Sequence, residues 1–199
     1  EVKRQNNREG ILTERNRMER RFGNKIYRRF VGITQFTVFS NNNEYDDSDI
    51  EPIQGAFYAS SSYTRMFFSK FREQREEELK AKMKPINTED EAFILSDTNL
   101  IAIKGTPEYA SSINEDSPTN RIITSLYTKD RILFLLKYGI CYKTTTNKDG
   151  ITQIEKHIMR YPQMFATMAI RDKLREGIRK GVIWHTQGSG KTALAYSNV

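Results

Sequence analysis

The sequence has a single cysteine, Cys141, which excludes an internal disulfide and fits a reducing cytoplasm. With no catalytic triad pattern beside it, and an apolar segment before it, Cys141 reads as a buried thiol. Only two histidines are present, His157 and His185, and neither has a cysteine or carboxylate at ligand spacing, which argues against a zinc site. Long apolar runs are missing too. The longest, Ile132-Leu133-Phe134-Leu135-Leu136, is far too short to span a bilayer. No secretory or transit segment is visible, and there is no internal repeat. The chain opens without an initiator Met, inside an apparent strand. It stops seven residues after Thr192, before any acidic Walker B pair, and so reads as a window on a longer protein.

What is present is charge, unevenly spread. Of 199 residues, 37% are hydrophobic and 29% charged, polar for one compact core, and the length suits one domain or parts of two. The net charge is +7, and ten basic against four acidic residues fall in the first thirty positions, so nearly all the excess lies there. Such a concentrated segment points to a polyanion, nucleic acid first. A solvated helix face is the competing reading.

Along the chain, residues 1–4 read as the end of a strand and 5–9 as a polar turn. Ile11, Leu12, Met18 and Phe22 recur at near-helical spacing among Arg and Glu, predicting a basic amphipathic helix that Gly23 and Asn24 end. Gln35 to Ser40 alternates as a strand. Asp46 to Pro52 is an acidic loop. The rings of Phe57, Tyr58, Tyr63, Phe67, Phe68 and Phe71 are most simply core packing, with base stacking as the alternative. Glu73 to Lys84 reads as a charged helix with Glu76-Glu77-Glu78 facing solvent, and Phe93 to Ile103 as short strands about Ser96-Asp97. Glu108 to Asn120, rich in Ser, Asn and Pro, is the best linker candidate. Thr128 is placed to cap a helix carrying Ile132, Leu133, Leu135, Leu136 and Tyr138, and Asn147-Lys148-Asp149-Gly150 is a strong turn.

The most informative stretch is Gly181-Val182-Ile183-Trp184-His185-Thr186-Gln187-Gly188-Ser189-Gly190-Lys191-Thr192. Val182, Ile183 and Trp184 read as a buried strand, a glycine-spaced turn follows, and Ala193-Leu194-Ala195-Tyr196 favours a helix. Strand, Gly-rich turn, Lys-Thr and helix make a nucleotide phosphate cradle. Gly188 and Gly190 let backbone N–H groups approach phosphate oxygens that a Cβ would obstruct. Lys191 reaches the β- and γ-phosphates, and the Thr192 hydroxyl suits Mg²⁺. His185 replaces the first glycine of the simple Walker pattern. A Gly-rich turn after an edge strand is the plainer alternative.

Two further patterns carry chemistry. In Glu1-Val2-Lys3, carboxylate and ammonium two apart on a strand share a face, which with an upstream Asp is how Asp…Glu-x-Lys nucleases hold Mg²⁺ and activate water. The tripeptide alone is weak, since Glu78-Leu79-Lys80 repeats it inside an acidic helix. In Arg160-Tyr161-Pro162-Gln163, the glutamine amide offers donor and acceptor to the N6/N7 edge of adenine, at a suitable place before the phosphate loop. A lone Gln at a helix start is ordinarily a surface residue. The helix that follows puts Met164, Met168, Leu174 and Ile178 on one face, where the methionines are packing residues.

Taken in order, Glu-x-Lys, Arg-Tyr-x-Gln and the Trp184–Thr192 loop resemble the restriction (R) subunit of type I restriction–modification enzymes, the loop most specifically. The Gln35–Asn41 and Phe57–Tyr63 segments resemble it too, so the similarity covers essentially the whole chain. The resemblance implies a nuclease joined to a superfamily 2 translocase that pulls double-stranded DNA with ATP and Mg²⁺. It would work in the cytoplasm with methyltransferase (M) and specificity (S) subunits. By position, Glu1 and Lys3 become nuclease residues, with Glu1 on the metal. Gln163 becomes the adenine reader. Gln187, Gly188, Ser189, Gly190, Lys191 and Thr192 hold phosphates, with Thr192 on Mg²⁺. Many relatives carry Gln-x-x-x-Tyr on the helix after Glu-x-Lys. Here it reads Asn16-Arg17-Met18-Glu19-Arg20-Arg21-Phe22, which suggests that Arg17, Arg20 or Arg21 contacts the DNA backbone instead.

The expected architecture is therefore α/β. Residues 1–107 would be the C-terminal part of a nuclease-like core with its extensions, 108–150 a linker and connecting helix, and 151–199 the first strand and phosphate loop of a RecA-like motor. A helicase without a nuclease and a non-motor ATP-sensing module are the competing functions. An Asp shortly before Glu1 separates the first from the nuclease reading, and an acidic Asp-Glu box after Val199 separates the second from a motor.

Overall fold

Two small antiparallel sheets interleaved with short helices form a mixed α/β arrangement in the computed structural model. It describes residues 11–42, 55–62, 66–146, 148–185, 188 and 190–197. The strand over 1–4, the turn over 5–9, the acidic loop and Tyr63 lie outside the described residues.

The basic amphipathic helix forms as α1 (Ile11–Gly23), with Ile11 and Phe22 buried and Asn24 capping the 3₁₀ turn that follows. Helix α2 (Arg28–Ile33) leads into β1 (Thr37–Asn41), the strand expected from Gln35 to Ser40. Strand β1 pairs with β2 (Gly55–Ala59) in the register Thr37↔Ala59 to Asn41↔Gly55, and β2 pairs with the short β3 (Ser69–Lys70). Because side chains alternate along β2, its two faces enter different cores. Ala56 and Tyr58 join Phe71 and residues from the later helices, whereas Ala59 joins Phe22, Val31 and Met66. The aromatic segment thus divides. Tyr58 and Phe71 are core residues, but Phe67 is half exposed.

Several expectations fail, each for a local reason. The charged helix over Glu73–Lys84 shrinks to α3 (Glu76–Lys80). Glu73 accepts the Gln74 and Arg75 N–H groups and so holds the chain in a turn, while Pro85 disfavours helix at Lys84. Glu76, Glu77 and Glu78 do face solvent. The strands expected over Phe93–Ile103 are instead α4 (Thr88–Ser96) and a 3₁₀ segment over Asp97–Ile103. There the Asn87 side chain accepts the Asp90 N–H at 2.8 Å, and three acidic residues occupy the first turn. The linker candidate contains α5 (Pro107–Ile113) and α6 (Pro118–Leu126). Ser117-Pro118 inside it opens α6, and Thr106-Pro107 just before it opens α5.

Helix α7 (Lys129–Phe134) follows Thr128 as expected, although the Thr128 side chain makes no capping bond, and it runs on as a π-helical turn over Leu135–Gly139. The Lys148–Gly150 turn, with Gly150 at φ 76, joins two strands that the sequence reading missed. They are β4 (Ile140–Thr146) and β5 (Thr152–Ile158), paired antiparallel. Cys141 sits on this hairpin and is exposed, not buried, because a two-stranded ribbon covers little of either face.

Helix α8 (Tyr161–Arg175) buries Met164, Phe165 and Met168, so the methionines are packing residues. They meet Ile122 and Leu126 of α6, Phe134 of α7 and Leu135 in one core. That core draws side chains from all three of the expected segments. The remaining correction concerns the motor strand. Val182, Ile183 and Trp184 are in no regular structure, and Val182 and Trp184 are each 91% exposed. An apolar strand needs hydrogen-bonded neighbours to bury both faces, and none of the described strands pairs with this segment.

Candidate functional site

The glycine-spaced loop ends on α9 (Lys191–Ser197), as expected, and Leu194 is buried where α9 lies against α8. Gly188 and Gly190 have φ of 77° and 81°, a region open to glycine but strained for other residues. Lys191 and Thr192 are exposed at the helix start. There the first N–H groups have no intrahelical acceptor, an arrangement suited to anionic oxygens. Glu1, Lys3, Gln187 and Ser189 lie outside the described residues.

Gln163 is the residue that the fold brings to this loop. It is buried in the first turn of α8, and its Oε1 accepts the Arg160 N–H at 2.8 Å, the reach-back bond of a capping box. Its Nε2 donates to the Gly190 carbonyl at 3.0 Å, and the same carbonyl accepts the Leu194 N–H at 3.1 Å. One amide therefore ties the start of α8 to the start of α9. A Cβ added at Gly190 would displace the Gln163 amide, the end of a flexible side chain, from its bond to the Gly190 carbonyl, while the φ of 81° is what requires glycine.

The rest of the fold braces α8. Tyr58, whose phenol burial keeps protonated by raising its pKa, donates to the Met159 carbonyl at 2.7 Å, one residue before the α8 cap. Ser60 donates to the Lys156 carbonyl at 2.5 Å. The buried Lys156 ammonium, its pKa lowered by desolvation, donates to the Val31, Gly32 and Thr34 carbonyls at 2.8 Å each. It thereby satisfies the end of α2. Beneath α8, Arg131 Nη1 meets Glu73 Oε2 at 2.5 Å with both side chains buried, and its guanidinium lies over the Phe165 ring. Burial pushes the Glu73 pKa up, but hydrogen bonds from Ser125, Arg131 and the Arg75 N–H outweigh it and leave the carboxyl below its usual range.

The geometry shows two positive-φ glycines before a Lys-Thr pair that opens a helix, with Gly190 held by the Gln163 amide. Residues 162–198, which include Gln163 and the whole loop, match the family model for SWI2/SNF2 ATPases. That match points to the helicase-like ATPase superfamily. No curated protein and no solved structure matches the chain. Among the described residues no helix is long and apolar enough to cross a membrane.

Proposed function

We propose that the protein is the restriction (R) subunit of a type I restriction–modification enzyme, an ATP-driven translocase of double-stranded DNA that also cuts it with Mg²⁺. The observation that carries the motor half is the positive-φ pair Gly188 and Gly190 leading into Lys191-Thr192 and tied to Gln163, inside the stretch resembling SWI2/SNF2 ATPases. These residues fit ATP with Mg²⁺. Lys191 would neutralise the phosphates, Thr192 would be a metal ligand, and Gln163, at the base of the loop, would read adenine. ATP supplies the energy of phosphoryl transfer, and this chain's part is to bind and orient it.

The nuclease half is supported by Glu1-Val2-Lys3 and by the sequence resemblance alone. Methyltransferase and specificity subunits would be the partners, and the cytoplasm the compartment. A helicase-like motor without a nuclease is the second reading, favoured by the SWI2/SNF2 match, which names an ATPase. Lys3→Ala in the complete protein separates the two: it should spare ATP turnover and stop DNA cleavage. Cleavage at the usual rate in that variant, or none in the wild type, would remove the nuclease assignment and leave the motor.

A further inference from the structure

Two helix faces hold rows of apolar side chains out in solvent, and the charges beside the rows are opposite in sign. On the first, Ile26, Phe30 and Ile33 recur at i, i+4 and i+7 along the 3₁₀ turn Lys25–Tyr27 and α2, and all three are exposed. Arg29 lies in the same row, with Lys25 one helical turn before it, and both are exposed. On the second, Phe93 and Ile94 of α4 are exposed, and the 3₁₀ segment packed against α4 exposes Ile101 and Ile103. Glu89 and Asp90, also exposed, stand four residues before Phe93 and Ile94 and so flank them.

Both rows are held outward from behind. Val31 of α2 is buried, and the Lys156 ammonium donates to the Val31, Gly32 and Thr34 carbonyls. Leu95 of α4 is buried, and Glu91 accepts from Lys104 at 2.8 Å and from the Tyr109 hydroxyl at 2.7 Å, which ties α4 to the segments after it. Neither helix turns its row inward without breaking these bonds. An apolar patch rimmed by charge marks a protein contact site, and a rigid one loses little freedom on binding.

We propose that the two faces pair with each other between copies of this chain, α2 of one copy lying on α4 of the next. Charge complementarity selects this occupant. Laying α2 on α2 sets Lys25 and Arg29 against like charges, and laying α4 on α4 does the same with Glu89 and Asp90. The crossed pairing buries both apolar rows and brings ammonium and guanidinium groups to carboxylates. A nucleic acid would satisfy Lys25 and Arg29, but its phosphates offer nothing to Ile26 and Ile33. The contact is heterologous, so every added copy leaves one face of each kind open, and assembly continues into rings or filaments. It stands independently of the ATP reading, since neither face includes the glycine-spaced loop or Gln163.

The test is sedimentation velocity of the complete protein without nucleotide or DNA. Species larger than a dimer should grow with protein concentration and recede as salt is raised. Ile26→Glu and Phe93→Lys each spoil one face, at positions 83% and 80% exposed, so circular dichroism should show the fold unchanged. Each variant alone should be monomeric where the wild type associates. Mixed in equal amounts, they should form a dimer and nothing larger, because the intact α4 face of the first meets the intact α2 face of the second. A wild type that is monomeric at every concentration would overturn the proposal and leave the two faces to other parts of the chain or to a different protein. Association that survives either substitution, or a mixture that stays monomeric, would overturn it as well.

Discussion

At the scale of the residue, Gly190 and Gln163 set the precision of the loop. Gly188 and Gly190 both have positive φ, but only Gly190 also lacks room for a Cβ, since nothing lies within 4 Å of one built at Gly188. A non-glycine residue at such a φ costs about 1–3 kcal/mol, and Gly190→Ala adds the displacement of the Gln163 amide. Isothermal titration with a non-hydrolysable ATP analogue should show a loss of about tenfold or more for Gly190→Ala and a smaller loss for Gly188→Ala. Equal losses would show that the Gln163 contact carries no weight. Glu73 gives a second test. Its folded pKa is lowered, so the stability it contributes is present above the ordinary glutamate value of 4.5 and is lost as pH falls through the folded value. In urea denaturation, Glu73→Gln should flatten that acid-side decline. At neutral pH it should cost about 3 kcal/mol, because buried Arg131 then keeps only the more exposed Glu78 carboxylate, at 3.5 Å. An unchanged acid limb would refute the pairing.

At the scale of the element, the structure hangs α8 on hydrogen bonds from the first sheet and ties α2 to β5 through one ammonium. Replacing Lys156 by Met keeps the apolar stem but takes the ammonium donor from the Val31, Gly32 and Thr34 carbonyls, leaving the Ser61 hydroxyl to serve Val31 or Thr34. A destabilisation of about 3 kcal/mol is expected from thermal or urea unfolding, and a change within 0.5 kcal/mol would contradict it. Elements with a strong local signal were legible in the sequence. Helix α1 had its apolar period and Gly23, β1 its alternation, and α8 its Pro162 and methionine face. Elements decided by caps were misread: Asn87 started α4 ahead of residues that look like strand formers, and Thr106-Pro107 and Ser117-Pro118 opened helices just before and inside what reads as a linker. Lys156 and Glu73 gave no signal at all, because a charged residue in a polar run looks solvated until its partners arrive from elsewhere in the chain. Val182 to Trp184 failed differently. An apolar run predicts burial, but burial as a strand depends on neighbours that the run itself does not contain.

At the scale of the whole molecule, Gln163 joins the braced α8 to the glycine-spaced loop that ends on α9. The part that could be read early was the glycine-spaced turn entering a helix, seen in the positive φ of Gly188 and Gly190 and the start of α9 at Lys191. The bond between Gln163 and Gly190 could not, since the residues lie 27 apart and meet only when α9 packs on α8. If α1 contacts DNA phosphates, neutralising Arg17, Arg20 and Arg21 should lower the salt dependence of duplex binding, and an unaltered slope would count against that role. The effect will be less than three full charges, because Arg17 is already paired with Glu14 at 2.6 Å.

The central claim is that the loop from Gly188 to Thr192 holds the phosphates of ATP and that this binding drives work on DNA. DNA-stimulated ATP hydrolysis by the complete protein, wild type against Lys191→Ala, tests it most directly. Turnover in the wild type and its loss in the variant, with the fold unchanged by circular dichroism, is the predicted result. Hydrolysis at the wild-type rate in Lys191→Ala, or none in the wild type with Mg²⁺ and DNA present, would contradict it.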